Sequence, residues 1–383
     1  MSQPISRSRF LQRAAALGVV AATAGTVAAS PATAARTTPA GTPDKRHLDF
    51  RGVAYDTGTG FIGDESRVLW RPDIVRGELS AIRHRLHANW VSIYGTQPKR
   101  LRDTATEALR QGLRVSIQPR FFDEPQADSL RKLADVARDA ERLRRRYGPE
   151  VILVIGCEFM LFTPGIVPGA DFFERVEHLT NGNPDMPAIV RRFRAYTAKM
   201  AKVARSNFHG RITYGAATDL EPVDWSLFDI VGLDYYSYHA DPAAHTAELA
   251  PFRKWGKPIL ILEFGCCTFT GAAEAGGMGW DIVDYTVDPP AIKDGYVRNE
   301  QEQATHLATM LGVFAKEGLL GASPYTFISP DAPHRADDPK HDDDIAGYGL
   351  VKVIREDSWD PASPYRWEPK KSFHAVREIY RRG

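Results

Sequence analysis

The chain has 383 residues, 43% of them hydrophobic and 25% charged, with a formal net charge of +1. That balance suits a globular protein with a sizeable core and excludes a disordered polyelectrolyte. A near-neutral chain without a basic stripe also argues against nucleic acid as the main partner.

The first 34 residues differ from the rest. Arg7, Arg9 and Arg13 lead into "AAALGVVAATAGTVAAS", and "PATA" places Ala32 and Ala34 in a small-x-small pattern. A basic start, a short apolar middle and a small-residue exit predict a signal peptide over 1–34, and hence a secreted, extracellular product. The apolar stretch is shorter than the roughly 20 residues of a membrane span, so no stable membrane anchor is expected. "SRSRFLQ" resembles a twin-arginine signal with Ser8 at the second arginine position, which leaves the export route open. Loss of the three arginines brings the net charge to −2. Residues 35–47 read as a polar linker, and 48–383 as one domain.

After the linker, short apolar runs alternate with longer amphipathic stretches. The runs are 50–56, 90–95, 114–120, 151–158, 211–217, 229–236, 258–265 and 321–328. Helical patterns fill 73–88, 104–113, 129–148, 186–205, 242–255, 299–318 and 370–382, while "TDLEPVDWSLF" is too short for a long helix. Strands that alternate with crossover segments predict parallel pairing, and their apolar character predicts burial on both faces. Eight such units point to a single (β/α)₈ TIM barrel. The alternative is an open, doubly wound sheet, but "DTGTGFIGD" lacks the G-x-G-x-x-G turn that usually accompanies it. Long connections at 159–186, 264–298 and 328–369 all follow strands four, seven and eight, and so belong at the C-terminal face, where such barrels carry their sites.

Two acids end otherwise apolar strands: Glu158 closes "VILVIGCE" and Glu263 lies in "ILILEFG". Two carboxylates across one barrel mouth form the machinery of glycoside hydrolysis, one protonated and one ionised. On these residues the chain resembles the retaining (β/α)₈ glycoside hydrolases of clan A. The resemblance implies Glu158 as acid/base and Glu263 as nucleophile, without a cofactor or metal and with an oligo- or polysaccharide as partner. "WEPKKSFHAV" (367–376) is similar to the last segment of several such enzymes, where a final helix follows a W-x-P-K turn. "FGCCTFTGAAEAGG" resembles a secreted actinobacterial subgroup. One departure concerns the position before the acid/base. The family usually has Asn there to hold the sugar 2-hydroxyl, whereas this chain has Cys157, a weak hydrogen-bonding partner.

Other strand ends supply the expected subsite. Asp56 and Tyr94 end strands one and two. Arg120 either steadies a carboxylate, binds a hydroxyl or forms an ion pair. The resemblance implies a Tyr or His after strand six bonded to the nucleophile, and Tyr236 is taken for that role, with His239 beside it as a substrate ligand. It also implies an aromatic sugar platform after strand eight, here Phe327, with Trp280 as a second stacking candidate. Several alternatives stay open. Glu158 or Glu263 forms a buried salt bridge with Arg120 or another cation. The barrel binds carbohydrate without catalysis. Asp234, His239 and Asp56 hold a metal for a different hydrolysis. "HRADDPKHDDD" (334–344) binds calcium or another metal, or is a solvated charged loop. Cys157 bridges to Cys266 or Cys267 across the mouth, or all three thiols are free.

Overall fold

The computed structural model describes residues 47–60, 65–148 and 150–383. The expected signal peptide and nearly all of the linker lie outside the described residues. From 48 onward the chain forms a (β/α)₈ barrel. Its first strand is split into β1 (Phe50–Arg51) and β2 (Ala54–Asp56). The others are β3 (Trp90–Gly95), β4 (Arg114–Pro119), β5 (Val151–Cys157), β6 (Arg211–Ala217), β7 (Val231–Asp234), β8 (Ile259–Phe264) and, after a small hairpin of β9 (Val283–Asp284) and β10 (Ala291–Ile292), β11 (Gly321–Pro324). All barrel pairings are parallel, in the order β1-β11-β8-β7-β6-β5-β4-β3-β2. Because β1 and β2 are halves of one strand, pairing β1 with β11 and β2 with β3 closes the ring.

The split has a packing cause. A Cβ on Gly52 would stand 2.1 Å from the Trp90 ring, so glycine there lets the indole fill the barrel floor. Trp90 meets Phe50 edge-on at 5.8 Å. Together with Ile152, Val154, Ile230, Leu260 and Leu262 they form a buried cluster that contains no helical residue and so is the barrel lumen. The alternate strand residues, such as Val91, Ile93, Leu153, Ile155, Ile259 and Ile261, face outward into a larger core shared with the helices. That is the two-faced burial expected of parallel strands.

The helical layer comprises α1 (Pro72–His84), α2 (Pro98–Arg110), α3 (Gln126–Tyr147), α4 (Phe159–Phe162), α5 (Phe172–Asn181), α6 (Met186–Asn207), α7 (Pro242–Leu249), α8 (Ala272–Ala275), α9 (Glu300–Lys316) and α10 (Lys371–Arg382). Every predicted strand and every predicted helix is present. Boundaries differ where local chemistry overrides periodicity. α2 starts six residues earlier than expected, with Pro98 in its first turn, where the missing N–H costs nothing. The helix predicted over 242–255 gives way to a 3₁₀ turn over Ala250–Trp255, since Pro251 cannot continue an α-helical ladder.

The connection over 328–369 holds an unpredicted antiparallel hairpin, β12 (Val351–Arg355) with β13 (Tyr365–Pro369), so Trp367 belongs to a strand rather than a turn. The acidic stretch 334–344 is only partly solvated: Asp337 is exposed, while two of its acids are sequestered in ion pairs. Asp342 and Asp344 are buried and paired with Arg298 at 3.1 and 2.6 Å; Lys370 meets Asp344 at 2.8 Å, and His334 meets Asp342 at 3.0 Å. This network ties the loops after strands seven and eight to the start of α10.

Candidate active site

Glu158 follows β5 directly, in the left-handed region at φ 44° and ψ 50°. A non-glycine residue held there needs its surroundings to fix it. Its own N–H bonds to the Gly215 carbonyl at 2.9 Å. The next two N–H groups, which open the short α4, donate to the Tyr214 hydroxyl at 2.6 Å and to Glu221 at 2.9 Å. Glu221, 7% exposed, also accepts from Tyr214 and from the Ala217 N–H. Tyr214 and Glu221 thus clamp the turn that aims Glu158, and neither was singled out from the sequence. The register also shifts between Val154 and Cys157 against β6. Such bulges re-aim side chains next to sites.

Glu263, near the end of β8, is 7% exposed and paired with Arg120. The ion pair weighed from the sequence is therefore present, at Glu263. The Tyr236 hydroxyl donates to the other oxygen of Glu263 at 3.0 Å. Arg120 leaves β4 and is held on three sides. Its guanidinium bonds to the Gln118 side-chain oxygen at 2.9 Å, lies 3.9 Å above the Tyr94 ring, and is 5.7 Å from the Tyr325 ring. Tyr94 and Tyr325 stack on each other with centroids 5.5 Å apart.

The two acids differ in environment. Burial pushes the Glu158 carboxyl up to about 7; the Arg120 charge opposes this and Asp219 adds to it. Glu263 instead sits in a salt bridge with a hydroxyl donor. A third acid stands at the end of β7. Asp234, paired in register with Glu263, is 3% exposed, and neither of its oxygens has a protein hydrogen-bond partner. Burial raises its pKa well above the usual range, Glu158 reinforces the shift, and Arg120 opposes it. A Cβ on Gly215 would come within 2.7 Å of Asp234 Oδ2, 3.0 Å of Gln118 Nε2 and 3.1 Å of Cys157 Cβ. Glycine there lets the three side chains converge beneath Glu158. The Gln118 Nε2 is likewise unpartnered. The Cys157 thiol is pushed up by burial, so it stands there as a neutral group.

The remaining predicted positions divide. Asp56 is 4% exposed and accepts the Gly58 N–H at 2.7 Å; burial raises its carboxyl to about 6 against the pull of Arg67. Tyr94 is buried as the base under Arg120. Trp280 packs between the aromatic cluster of Phe172 and Phe173 and the cluster of Cys266, Cys267 and Phe269, joining the loops after strands four and seven. Two expectations fail. Phe327 is fully buried between Tyr55 and Trp367, so it offers no face to a sugar. Tyr325, two residues earlier, is the aromatic that meets Arg120. His239 bonds to Glu248 at 2.8 Å and packs on His245, in a separate cluster. Asp234, His239 and Asp56 therefore form no metal centre. Among the described residues the one trio of converging ligand atoms is His239, His245 and Glu248. All three cysteines are free and buried, with Cys267 donating to the Ala346 carbonyl at 3.0 Å rather than bridging to Cys157. A cavity of about 350 Å³ opens at the opposite, N-terminal end, among Phe50, Asn89, Arg114, Glu150 and Arg211, remote from both catalytic candidates.

No protein-family model matches the chain, and no curated protein matches it by sequence. Solved structures do resemble it. A GH113 β-1,4-mannanase aligns with a TM-score of 0.55 at 15% identity, over 87% of this chain and 98% of that one. The GH113 β-mannanase of Alicyclobacillus acidocaldarius aligns at 0.53 and 14% identity, over 89% and 99%. A GH2 β-galacturonidase of Eisenbergiella tayi aligns at 0.52 and 15% identity, over 88% of this chain and 52% of that longer one. The chain thus shares the (β/α)₈ fold of these solved structures.

Proposed function

We propose that this chain is a secreted glycoside hydrolase that cleaves O-glycosidic bonds by a retaining double displacement. Glu263 attacks the anomeric carbon while Glu158 protonates the departing oxygen. Glu158 then deprotonates the water that releases the sugar. The observation that carries this is the split between the two acids around Arg120. One is salt-bridged and bonded to Tyr236, and the other is raised to about 7. A nucleophile must be ionised and a general acid must be protonated near working pH, and these environments favour that division. The alignments with a β-1,4-mannanase and a β-galacturonidase direct the first substrate screen to β-linked mannans and uronides. The residues before the barrel, with their basic and apolar pattern, support export.

The test is cleavage of a β-linked glycan panel by wild type, Glu158→Gln and Glu263→Gln. Product release by wild type and a loss of at least about 10³-fold in both variants is expected, given the rate support that acid–base catalysis and a covalent nucleophile supply. Activity near wild type in either variant refutes the assignment of that residue. A second reading, a carbohydrate-binding barrel without catalysis, is favoured by one observation: Cys157 replaces the asparagine that usually holds the 2-hydroxyl. Calorimetric binding of a glycan with no product after long incubation would select it.

A further inference from the structure

Behind the sixth barrel strand lies a polar centre that the proposed chemistry does not use. His239 follows β7, while His245 and Glu248 are three residues apart on α7 and so share one helix face. One ligand atom from each of the three lies within 4.8 Å of the other two. Tetrahedral zinc, with bonds of about 2.0–2.2 Å to nitrogen and oxygen, sets ligand atoms about 3.4 Å apart, so at most about 1.4 Å of contraction is needed. His239 Nε2 already stands 2.8 Å from Glu248 Oε2. The Tyr235 hydroxyl is 2.7 Å from His245 Nδ1 and donates to Glu248 Oε2 at 2.5 Å. The Ser237 hydroxyl donates to Glu248 Oε1 at 2.6 Å, which leaves Oε2 turned toward the imidazoles. Outer contacts of this kind orient ligands in metal sites. The ionisable neighbours are suited to a cation. Asp219 interacts with Glu248, and His306 lies beside His245 with Glu302 acting on His306; none of these is a lysine or arginine.

We propose that His239, His245 and Glu248 form a binding site for a divalent transition-metal ion, with Zn²⁺ the best match. Two imidazoles select against calcium and magnesium, which take oxygen ligands. The Tyr235 hydroxyl or a water completes the tetrahedron. The ion ties the segment after β7 to α7. Tyr236 lies inside that segment, and its hydroxyl donates to Glu263, so the metal acts as a clip that holds Tyr236 in place. Binding itself does not depend on the glycosidase reading.

The experiment uses tag-free protein stripped with a chelator and titrated with Zn²⁺ by calorimetry, with thermal melts alongside. One ion per chain and a rise in Tm are expected. The His239 side chain is 35% exposed, so His239→Ala is expected to fold; it and Glu248→Gln should each weaken binding at least about tenfold and abolish the Tm rise. His374→Ala, on α10, should bind like wild type. Failure of the wild type to bind Zn²⁺ at 0.1 mM (roughly the upper end of useful site affinity), or equal affinity in all three variants, overturns the proposal.

Discussion

Arg120→Met is the most informative substitution in the barrel mouth, because it keeps the stem and removes the charge. The Arg120 and Glu263 side chains are 7% and 10% exposed, so the change leaves a buried carboxylate without its cation. Removing one partner of a buried pair costs about 3–5 kcal/mol. Loss of the bond to Gln118 and of the cation–π contact with Tyr94 is part of that figure rather than additional to it. At about 2.1 cal/mol/K per residue, a unit of this size has an unfolding entropy of about 0.7 kcal/mol/K, so Tm should fall by about 4–7 °C at neutral pH. The deficit should shrink as pH is lowered, because burial without the cation holds the orphaned carboxyl's pKa above its unfolded value and it takes up a proton. In Arg120→Met/Glu263→Gln the two losses should be far from additive. A second effect is independent of stability. The Arg120 charge lowers the Glu158 pKa, so removing it should move the alkaline limb of kcat/KM to higher pH. Melts and pH–rate profiles of wild type, both single variants and the double variant read all of this. A Tm within 1 °C of wild type (well inside the roughly 4–7 °C expected), together with an unmoved alkaline limb, refutes the role given to Arg120.

Wild-type kcat/KM should fall as pH rises through about 7, where Glu158 gives up its proton, and a profile flat to pH 9 would contradict this. The same shift bears on stability. The Glu158 carboxyl is raised from 4.5 to about 7 on folding, so its contribution is fully present below pH 4.5 and is lost as pH rises through 7. Glu158→Gln should therefore be more stable than wild type at pH 8, by up to about 3 kcal/mol, and equal to it near pH 4, as read by urea unfolding. Tyr236→Phe removes a hydrogen bond to a charged group, about 1.5–3 kcal/mol, and should lower Tm by about 2–4 °C and kcat/KM by about 10–100-fold; an effect on kcat/KM under about twofold would count against it. Trp90→Ala opens the barrel floor and should cost about 3–5 kcal/mol in urea unfolding without altering the pH profile.

The barrel was legible because its strands are short apolar runs buried on both faces, a pattern with few other solutions. Glu158 and Glu263 stood out for the same reason, since each interrupts such a run. What failed lies just past the strand ends, where period-two alternation no longer holds. The register shifts between Leu233 and Asp234, so alternation along "DYYSYH" could not separate Tyr236, bonded to Glu263, from His239, bonded to Glu248. After β11 the chain likewise turns Tyr325 toward Arg120 and Phe327 into the core. Tyr214 and Glu221 were missed because their role, holding the backbone after Glu158, comes from contacts between separate segments and has no sequence periodicity. The buried pairing of Asp342 and Asp344 was hidden in the same way, since Arg298 and Lys370 reach them from distant positions.

In the proposed double displacement Glu263 bonds covalently to a sugar while Glu158 exchanges the proton. Labelling with activated 2-deoxy-2-fluoro glycosides, followed by peptide mapping, tests it most directly. One adduct per chain is expected on the peptide carrying Glu263, formed faster than in Arg120→Met and absent from Glu263→Gln. An adduct on another residue, or hydrolysis that yields the inverted anomer with no adduct, would contradict it.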